Sequence, residues 1–389
     1  MRFSNLVERL QGKRTTAWRI HEAAQKARAA GEDVIVLSVG DPDFATPEVI
    51  VESAVAALRG GDTHYSAVSG RDPLRAVIAA DHAQASGRNV GAENVILTAG
   101  AQNALFAASL CLCEAGDEVL VPEPMYLTYE AVVRASGATL VPVPVDPARG
   151  FRIDCDALEA AITPRTRAIY FATPCNPTGV VMHREELERI AALATRHDLW
   201  VVSDEVYADL TFEHQHVSIG SFDGMAERTV TLGSLSKSHA MAGWRVGWVI
   251  GPKTLIEHMG RLALCMLYGL PGFIQQGALS AFEHKAKIVD EMRDLYRRRR
   301  DVVFERLSRV SGLRCLVPDA GMFMMVDVSG TGLSTTDFTW RLFESQGVSL
   351  LDAEAFGPTA QGFVRLGFVV DEAQLADACN RIERFVSTL

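Results

Sequence analysis

Lys237 lies among serines and small residues in the stretch SLSKSHAMAGWRVGW, residues 234–248. Glu227 is the one acidic residue within ten positions of it, and the preceding run TVTLGS is typical of a strand that leads into a loop. A lysine amine becomes a nucleophile toward carbonyl groups when a dry or cationic environment lowers its pKa. The residues therefore indicate either a reactive amine held inside a site or a lysine with a structural role.

Two kinds of group near Lys237 are suited to phosphate. Arg245, eight positions later, offers a planar fork of donors, and Ser234 and Ser236 flank the loop that leads to the lysine. A lysine beside such a cradle favours a phosphorylated carbonyl cofactor that the amine holds as a Schiff base. Pyridoxal 5′-phosphate is a cofactor of this kind, which makes Lys237 the catalytic candidate and Ser234 and Arg245 candidate phosphate ligands.

Asp204 meets a second demand of pyridoxal phosphate. The ring nitrogen of this cofactor must stay protonated for the ring to withdraw electrons, which requires a buried carboxylate next to it. The segment LWVVSDEVY places Asp204 at the end of an apolar strand, where an unpaired acid is costly. Tyr207, three residues on, is placed to hydrogen-bond the 3′-oxygen of the ring. The alternative is that Asp204 only caps the following turn.

Two further segments follow predicted strands and fit the same cofactor. In LTAGAQNALF, the junction residues Gly100, Ala101 and Gln102 offer backbone donors to a phosphate at the start of a helix. The junction lacks the GxGxxG pattern, so a dinucleotide site is not favoured. Tyr126 in PEPMYLTY follows the next strand, where its ring either stacks on the cofactor or packs as an ordinary half-buried tyrosine.

Asn176 and Arg365 are candidates for polar contacts in the same site. Asn176 lies in the proline-stiffened segment TPCNPTG and can both donate and accept hydrogen bonds, although a plain turn is the alternative. FVRLGFV puts Arg365 in the middle of an apolar strand, where a guanidinium must be paired or must receive an anion. Because an amino acid always brings an α-carboxylate, Arg365 is predicted to bind that group as a bidentate clamp.

Composition limits the other classes of function. The chain has 389 residues, 48% of them hydrophobic, and a formal net charge of −10, which suits a large core and does not favour nucleic acid. Seven cysteines at irregular spacing form neither a metal pattern nor a disulfide framework, and the histidines of FEHQHVS are expected in a loop without a metal. No signal peptide or membrane span is predicted, so we expect a cytoplasmic protein without membrane partners.

Strand-like apolar runs alternate with helical patterns through most of the chain. This alternation predicts an α/β fold in which a mainly parallel sheet is covered by helices on both faces. The helix starts are marked by polar caps and prolines. In TPEVIVESAVAALRGG, for example, Thr46 is the expected N-cap and Pro47 the first helical residue.

The character of the sequence changes after residue 285. A long charged helix, which carries the run YRRRRD on a solvated or interdomain face, leads into shorter strands and helices. We therefore expect a large domain at 46–285 and a smaller α+β domain at 286–389. Residues 1–45 are expected to form an N-terminal arm and part of the small domain, which the strand-like run VIVLSVG (34–40) is predicted to join.

Taken together, these motifs resemble those of the class I and II aminotransferases of pyridoxal phosphate fold type I, over essentially the whole chain. The resemblance implies a large domain with a mainly parallel seven-stranded sheet between helices, and a smaller α+β domain. It implies that the cofactor is bound by Gly100, Ala101, Gln102, Tyr126, Asn176, Asp204, Tyr207, Ser234, Lys237 and Arg245. It also implies that the substrate is bound by Gly40 of the segment GDPDF together with Asn176 and Arg365.

Tyr65, in the motif HYSAVSG, is implied by the same resemblance to reach the phosphate in the neighbouring subunit. A homodimer with active sites at the subunit interface is therefore expected. The implied reaction is a ping-pong transfer of an amino group from an L-amino acid to a 2-oxo acid. In it Lys237, displaced from the cofactor by the substrate, moves the proton at the α-carbon as general base and acid.

The donor and acceptor are suggested by two short runs. SLSKSHAM and LALCMLYG are similar to arginine:pyruvate transaminases of bacterial arginine catabolism, so arginine and pyruvate are the expected substrates. An aspartate or broad-range aminotransferase is the alternative within the family. A pyridoxal phosphate-dependent C–S lyase or decarboxylase on the same fold shares the cofactor residues and is the alternative reaction.

Overall fold

The computed structural model describes residues 2–10 and 18–389. Residue 1 and residues 11–17, which fall in the predicted N-terminal arm, lie outside the described residues. The strands of the described chain are β1 (Ile35–Val36), β2 (Val95–Ala99), β3 (Glu118–Glu123), β4 (Thr139–Pro144), β5 (Thr166–Ala172), β6 (Trp200–Asp204), β7 (Thr229–Ser234), β8 (Val246–Ile250), β9 (Arg314–Leu316), β10 (Phe323–Asp327), β11 (Val348–Ser349), β12 (Leu351–Asp352) and β13 (Phe363–Gly367).

The α-helices of the same residues are α1 (Asn5–Arg9), α2 (Trp18–Ala29), α3 (Glu48–Arg59), α4 (Asp72–Ser86), α5 (Ala101–Leu112), α6 (Tyr129–Ser136), α7 (Cys155–Ala160), α8 (Arg184–Arg196), α9 (Lys253–Met266), α10 (Gly272–Glu283), α11 (Lys285–Leu307), α12 (Thr335–Gln346) and α13 (Glu372–Val386). Within the described residues, no helix combines the length and the apolar character that crossing a bilayer requires.

A seven-stranded sheet in the order β2-β8-β7-β6-β5-β3-β4 forms the centre of the molecule. The strands β7, β6, β5, β3 and β4 run parallel, and β8 is antiparallel to both of its neighbours, β7 and β2. The prediction of a mainly parallel seven-stranded sheet is therefore confirmed. Since β2, β5, β6 and β7 point the same way, their carboxyl ends meet at one edge of the sheet.

Helices cover both faces of this sheet, as the near-continuous apolar strands require. On one face α5, α6 and α9 contribute Leu105, Val132 and Met259 to a buried core. On the other face α8 contributes Leu187 and Ile190. Both faces of the sheet are therefore buried in apolar cores. Polar side chains that bind a ligand are expected at the carboxyl edge of the strands instead.

The C-terminal part of the chain forms a second, antiparallel sheet in the order β12-β13-β10-β9, packed with α11, α12 and α13. The N-terminal run 34–40 joins this part, because Ile35 and Val36 of β1 pair with Val348 and Ser349 of β11. This pairing agrees with the prediction that VIVLSVG joins the smaller domain, which stays a prediction. It also supports the division at 1–45, 46–285 and 286–389, which we retain as a proposal.

The start of α3 differs from the sequence prediction. The helix begins at Glu48, and Pro47 occupies the N-cap position in place of Thr46. The Thr46 hydroxyl is used elsewhere, because it donates to Ala240 O at 2.6 Å and accepts from Trp244 Nε1 at 2.9 Å. A long-range contact near the lysine loop has therefore replaced the local cap that the sequence pattern suggested.

The arginine run of α11 has two buried members and two exposed ones. Arg299 is 3% exposed and donates to both carboxylate oxygens of Asp43, at 2.7 and 2.8 Å, while its guanidinium also lies over the ring of Phe44. Arg300 is 6% exposed and binds Glu213 in the same bidentate manner. Two of the four arginines thus tie the long helix to segments that flank the central sheet. Arg297 and Arg298 pair at the surface, as the solvated alternative expects, while the contacts of Arg299 and Arg300 agree with the interdomain alternative.

We expect Arg299→Ala to lower the free energy of unfolding by about 3 kcal/mol, because it removes a buried partner and leaves the Asp43 carboxylate uncompensated. Arg297→Ala on the same helix is the matched control. Its side chain is 46% exposed and pairs with Asp294 at the surface, so a change within about 0.5 kcal/mol is expected. Urea denaturation followed by tryptophan fluorescence gives both values. Equal losses for the two variants would contradict a buried clamp.

Candidate active site

A cavity of about 220 Å³ lies at the carboxyl edge of the central sheet. Its lining brings together residues from the sheet edge, the N-terminal segment and the C-terminal sheet. Most of the predicted site residues are among them, namely Gly40, Ala101, Gln102, Tyr126, Asn176, Asp204, Tyr207, Ser234, Lys237, Arg245 and Arg365. Trp18, Val39, Leu105, Leu127 and Ser236 are lining residues that the predicted set does not contain.

Lys237 follows β7 and reaches across the cavity to the N-terminal segment. Its Nζ donates to the carbonyl oxygen of Gly40 at 2.5 Å. Burial lowers the pKa of Lys237 to about 8, the charge of Asp41 opposes this effect, and the charges of Arg365 and Arg245 add to it. The amine therefore has a substantial neutral fraction at pH values where an exposed lysine is fully protonated.

Asp204 ends β6 with its carboxylate in the cavity. It accepts from the Tyr129 hydroxyl at 3.1 Å and from the Val206 amide at 3.3 Å. Burial nevertheless raises the pKa of Asp204 to about 6, because two neutral donors compensate only part of the lost hydration. A cationic group placed beside this carboxylate would stabilise the ionised form.

Tyr129 is a site residue that the sequence analysis missed. It is 2% exposed, lies at the start of α6, and forms a T-shaped contact with Tyr126 at a centroid distance of 5.9 Å. The segment PEPMYLTY contains both Tyr126 and Tyr129, and its position after a strand points only to the first. The available signal was their spacing of three, which places them on neighbouring positions when the chain turns into a helix.

The start of α5 and Arg245 form an anion-binding corner of the cavity. Gly100 precedes the helix with φ of 79°, and a Cβ at this position would collide with the guanidinium of Arg245. Arg245, itself in the left-handed region at φ of 57°, donates to Ala242 O at 2.8 Å and to Ala99 O at 3.1 Å. A helix N-terminus next to a guanidinium suits a phosphate or carboxylate.

Two serines lie below this corner. Ser234 Oγ lies 2.9 Å from Val246 O and 2.7 Å from Ser236 Oγ, and it accepts from the Ser236 amide at 3.0 Å. Both residues line the cavity and are buried. The sequence analysis selected Ser234 as the phosphate ligand, and the structure shows that its hydroxyl also supports the turn that leads to Lys237.

Arg365 lies in β13 with a side chain that is 4% exposed. Its Nη1 donates to Asn176 Oδ1 at 2.9 Å and its Nη2 to Ser38 O at 3.1 Å. The guanidinium lies between the rings of Phe323 and Phe356, at 5.2 and 5.1 Å from their centroids. Within residues 2–10 and 18–389 it forms no ion pair with a carboxylate, and burial lowers the pKa of Arg365 to about 10. An anion in the cavity would supply the missing charge.

The remaining aromatic and polar residues form the walls. Tyr207 is buried against Phe323, with ring centroids 5.4 Å apart, and Tyr126 lies on the side of the cavity near Asp204. Gln102 accepts a hydrogen bond from the Thr128 hydroxyl at 2.8 Å, which joins the start of α5 to the loop that carries Tyr126. These contacts fix the wall residues before any ligand is bound.

Two predicted residues are not among the lining residues of the cavity, namely Gly100, which directly precedes the lining residue Ala101, and Tyr65. Tyr65 lies at the surface of its own chain. Its side chain is 87% exposed and packs on Tyr268, with ring centroids 4.9 Å apart. An exposed tyrosine on this surface is compatible with a contact to another subunit. That Tyr65 reaches the phosphate in the neighbouring subunit stays a prediction.

Comparison with known proteins decides the family. The description "Aminotransferase class I and II" fits residues 32–382 of the chain. The chain belongs to this family. It is therefore an aminotransferase, and the resemblance recognised in its motifs is confirmed.

Relatives of this aminotransferase cover nearly all of its length. It is 52% identical to the arginine--pyruvate transaminase AruH of Pseudomonas aeruginosa over 98% of this chain and 97% of the relative. It is 36% identical to an aspartate aminotransferase of Pyrococcus abyssi over 92% of each chain. The structure of Thermus thermophilus aspartate aminotransferase with maleate superposes with a TM-score of 0.93, at 35% identity and with coverage of 99% and 100%.

The cavity of the aminotransferase thus holds four charged groups with different surroundings. Lys237 supplies an amine that can lose its proton, and Asp204 supplies a carboxylate that can stabilise a cation. Arg245 and Arg365 provide two separate places for anions. Chemically, the arrangement can hold one ligand by its anion at Arg245, and can bring a second ligand, held by its own anion at Arg365, to the amine of Lys237.

The perturbed amine can be measured in the protein without added cofactor. We expect Lys237 to be acetylated with a half-maximal rate near pH 8, against about 10.4 for a lysine in a model peptide. Asp41→Asn should shift this midpoint down, because the carboxylate raises the pKa of Lys237, and Arg365→Met should shift it up, because the guanidinium lowers it. Competitive labelling with mass spectrometry of the Lys237 peptide gives the three midpoints. Shifts of the same sign in both variants would contradict this electrostatic picture.

Proposed function

We propose that the chain binds pyridoxal 5′-phosphate in this cavity and transfers an amino group from an L-amino acid to a 2-oxo acid. The observation that carries the proposal is the joint presence of three groups: an amine with a pKa of about 8, and a carboxylate and a buried guanidinium that have no oppositely charged partner among residues 2–10 and 18–389. When bound, the cofactor supplies an electron-withdrawing ring that makes the α-proton of an amino acid acidic.

The lining fits this cofactor group by group. Asp204 would hold the protonated ring nitrogen, since the carboxylate is desolvated and bonded only to neutral donors among the described residues. The phosphate would be held at the anion-binding corner by the backbone of Gly100, Ala101 and Gln102 together with Ser234 and Arg245. Tyr126 would lie against the ring, and Tyr207 and Asn176 would hydrogen-bond the ring oxygen.

Lys237 and Arg365 would act on the substrate. Arg365 would clamp the α-carboxylate, because its guanidinium is fixed by Asn176 and by the carbonyl of Ser38, and its Nε has no hydrogen-bond partner in the part of the chain that the structure describes. Lys237 would accept the α-proton and return a proton, a role for which a pKa of about 8 is well matched to neutral pH. Gly40, whose carbonyl holds the Lys237 amine, would contribute the neighbouring wall of the substrate site.

For the substrates we propose arginine as the donor and pyruvate as the acceptor. The support is the 52% identity, over nearly the whole chain, to a relative named for these two compounds. Aspartate is the competing donor, because relatives named for it are 34–36% identical to this chain. The higher identity favours arginine, and we assign the enzyme to arginine catabolism on the same ground.

The proposal is tested by incubating the holoenzyme with pyruvate and a panel of single L-amino acids, and by measuring the alanine formed. Arginine is expected to give the fastest alanine formation, and aspartate little. Lys237→Ala is expected to lower the rate by at least about 10²–10⁴-fold while still retaining pyridoxal phosphate in equilibrium dialysis. Undiminished alanine formation by Lys237→Ala would overturn the assignment, and pyruvate or ammonia released from a donor without an acceptor would indicate a lyase.

We further propose that the enzyme is a cytoplasmic homodimer with Tyr65 reaching the phosphate of the partner's site. Tyr268 packs on this tyrosine, and Leu264 and Met266, at the end of α9 shortly before Tyr268, are 48% and 37% exposed. Met266 also contacts Asn103 of α5, so the patch adjoins the anion-binding corner. Such a patch beside a site suits a subunit interface. Buried free thiols, such as Cys113 and Cys155, fit a reducing compartment.

A mixed dimer tests whether Tyr65 of one subunit acts in the active site of the other. Lys237→Ala and Tyr65→Ala homodimers are each expected to have low activity. A heterodimer of the two variants contains one site with both native residues if Tyr65 acts across the interface, and none if it acts within its own chain. We expect the doubly tagged, purified heterodimer to recover about half of the wild-type activity per dimer. A heterodimer no more active than the average of its parents would contradict the exchange.

A further inference from the structure

Trp18 is a cavity-lining residue with no part in the chemistry described above. It is the first residue of α2, is half-buried, and packs beside the cluster that contains Leu127 and Phe356. Its indole ring forms a T-shaped contact with His21, with centroids 5.9 Å apart. The side chain also lines the cavity, together with Val39 and Gly40.

A chain of contacts places Trp18 at the substrate end of the cavity. Arg365 Nη2 donates to Ser38 O at 3.1 Å, and Ser38 Oγ lies 3.1 Å from His21 Nδ1. His21 is one helical turn after Trp18 and contacts its ring. A donor whose α-carboxylate is held by Arg365 and whose amino group lies near Lys237 would therefore have Trp18 among the nearest groups to its side chain.

The charges at this end favour a cationic side chain over an acidic one. Of the lining residues that the structure describes, the cations are Lys237, Arg245 and Arg365, and each already has a role in the proposed function. Among the described lining residues of this chain, none is left for a second carboxylate of the substrate. The nearby rim instead carries Asp41, whose negative charge is close enough to raise the pKa of Lys237 against the effect of burial.

We propose that Trp18 determines donor specificity by stacking its indole face on the planar guanidinium of arginine. Tryptophan is the aromatic side chain that attracts cations most strongly, and a guanidinium stacks on its face as well as being attracted to it. This inference rests on the proposed function. It adds to that function the residue that recognises the guanidinium of the donor side chain.

The test compares arginine with citrulline, a neutral amino acid of nearly the same shape, as donors to pyruvate. In the wild-type holoenzyme, kcat/KM for arginine is expected to exceed that for citrulline. Trp18→Leu is expected to lower kcat/KM for arginine by about three- to thirty-fold, with a much smaller effect on citrulline. Trp18→Phe keeps an aromatic face of weaker cation affinity and is expected to lie between the two.

Trp340→Leu is the matched control, because Trp340 packs in the same cluster and is not among the lining residues of the cavity. It is expected to leave the arginine-to-citrulline ratio unchanged. Equal losses of kcat/KM for arginine and citrulline in both Trp18 variants would show that the ring is only an apolar wall, and would overturn the inference. The proposed function would still stand in that case, provided that the wild-type enzyme uses arginine as a donor. Absence of arginine turnover in the wild-type enzyme would overturn the donor assignment and this inference together.

Discussion

The site depends on holding charged groups away from water without pairing them to one another. Lys237, Asp204 and Arg365 share one cavity, and burial moves the pKa of each toward the neutral form. Their hydrogen bonds go to neutral partners, such as the Gly40 carbonyl and the Tyr129 hydroxyl. This arrangement costs folding free energy. It also leaves three charges oriented toward a ligand that can compensate them, which is the condition for electrostatic preorganisation.

The fold supplies this arrangement by joining two sheets at the cavity. The central sheet contributes Asp204 and the lysine loop from the carboxyl ends of parallel strands, where ligands of such sheets commonly bind. The C-terminal sheet contributes Arg365, and β1 brings the segment from Ser38 to Gly40 between them. The buried pair between Arg299 and Asp43 anchors the following residues of that segment to α11. Rigid connections on three sides therefore fix the distances between the charged groups.

Site residues whose type conflicts with the surrounding sequence pattern could be predicted from the sequence. An acid at the end of an apolar strand, an arginine within one and a lysine among serines each require a reason, and Asp204, Arg365 and Lys237 do meet in one cavity. Tyr129 and Trp18 gave no such conflict, because a buried tyrosine and a helical tryptophan are ordinary in any fold. The prediction of Thr46 as an N-cap was wrong for a related reason. Its hydroxyl has partners almost two hundred residues away, at Ala240 and Trp244, which local propensity cannot reveal.

The residues that would perform the reaction and those that would select the donor lie in different parts of the fold. The groups that would perform proton transfer and hold the cofactor lie at strand ends and helix starts, where backbone geometry fixes them. The groups left to contact the donor side chain, Trp18, Val39 and Leu127, come from the first turn of α2 and from connecting segments. Substitution there changes the shape and charge of the pocket without disturbing the strand edge. A family with one fold and one reaction can therefore accept different amino acids, and donor identity has to be argued from these few side chains and not from the fold.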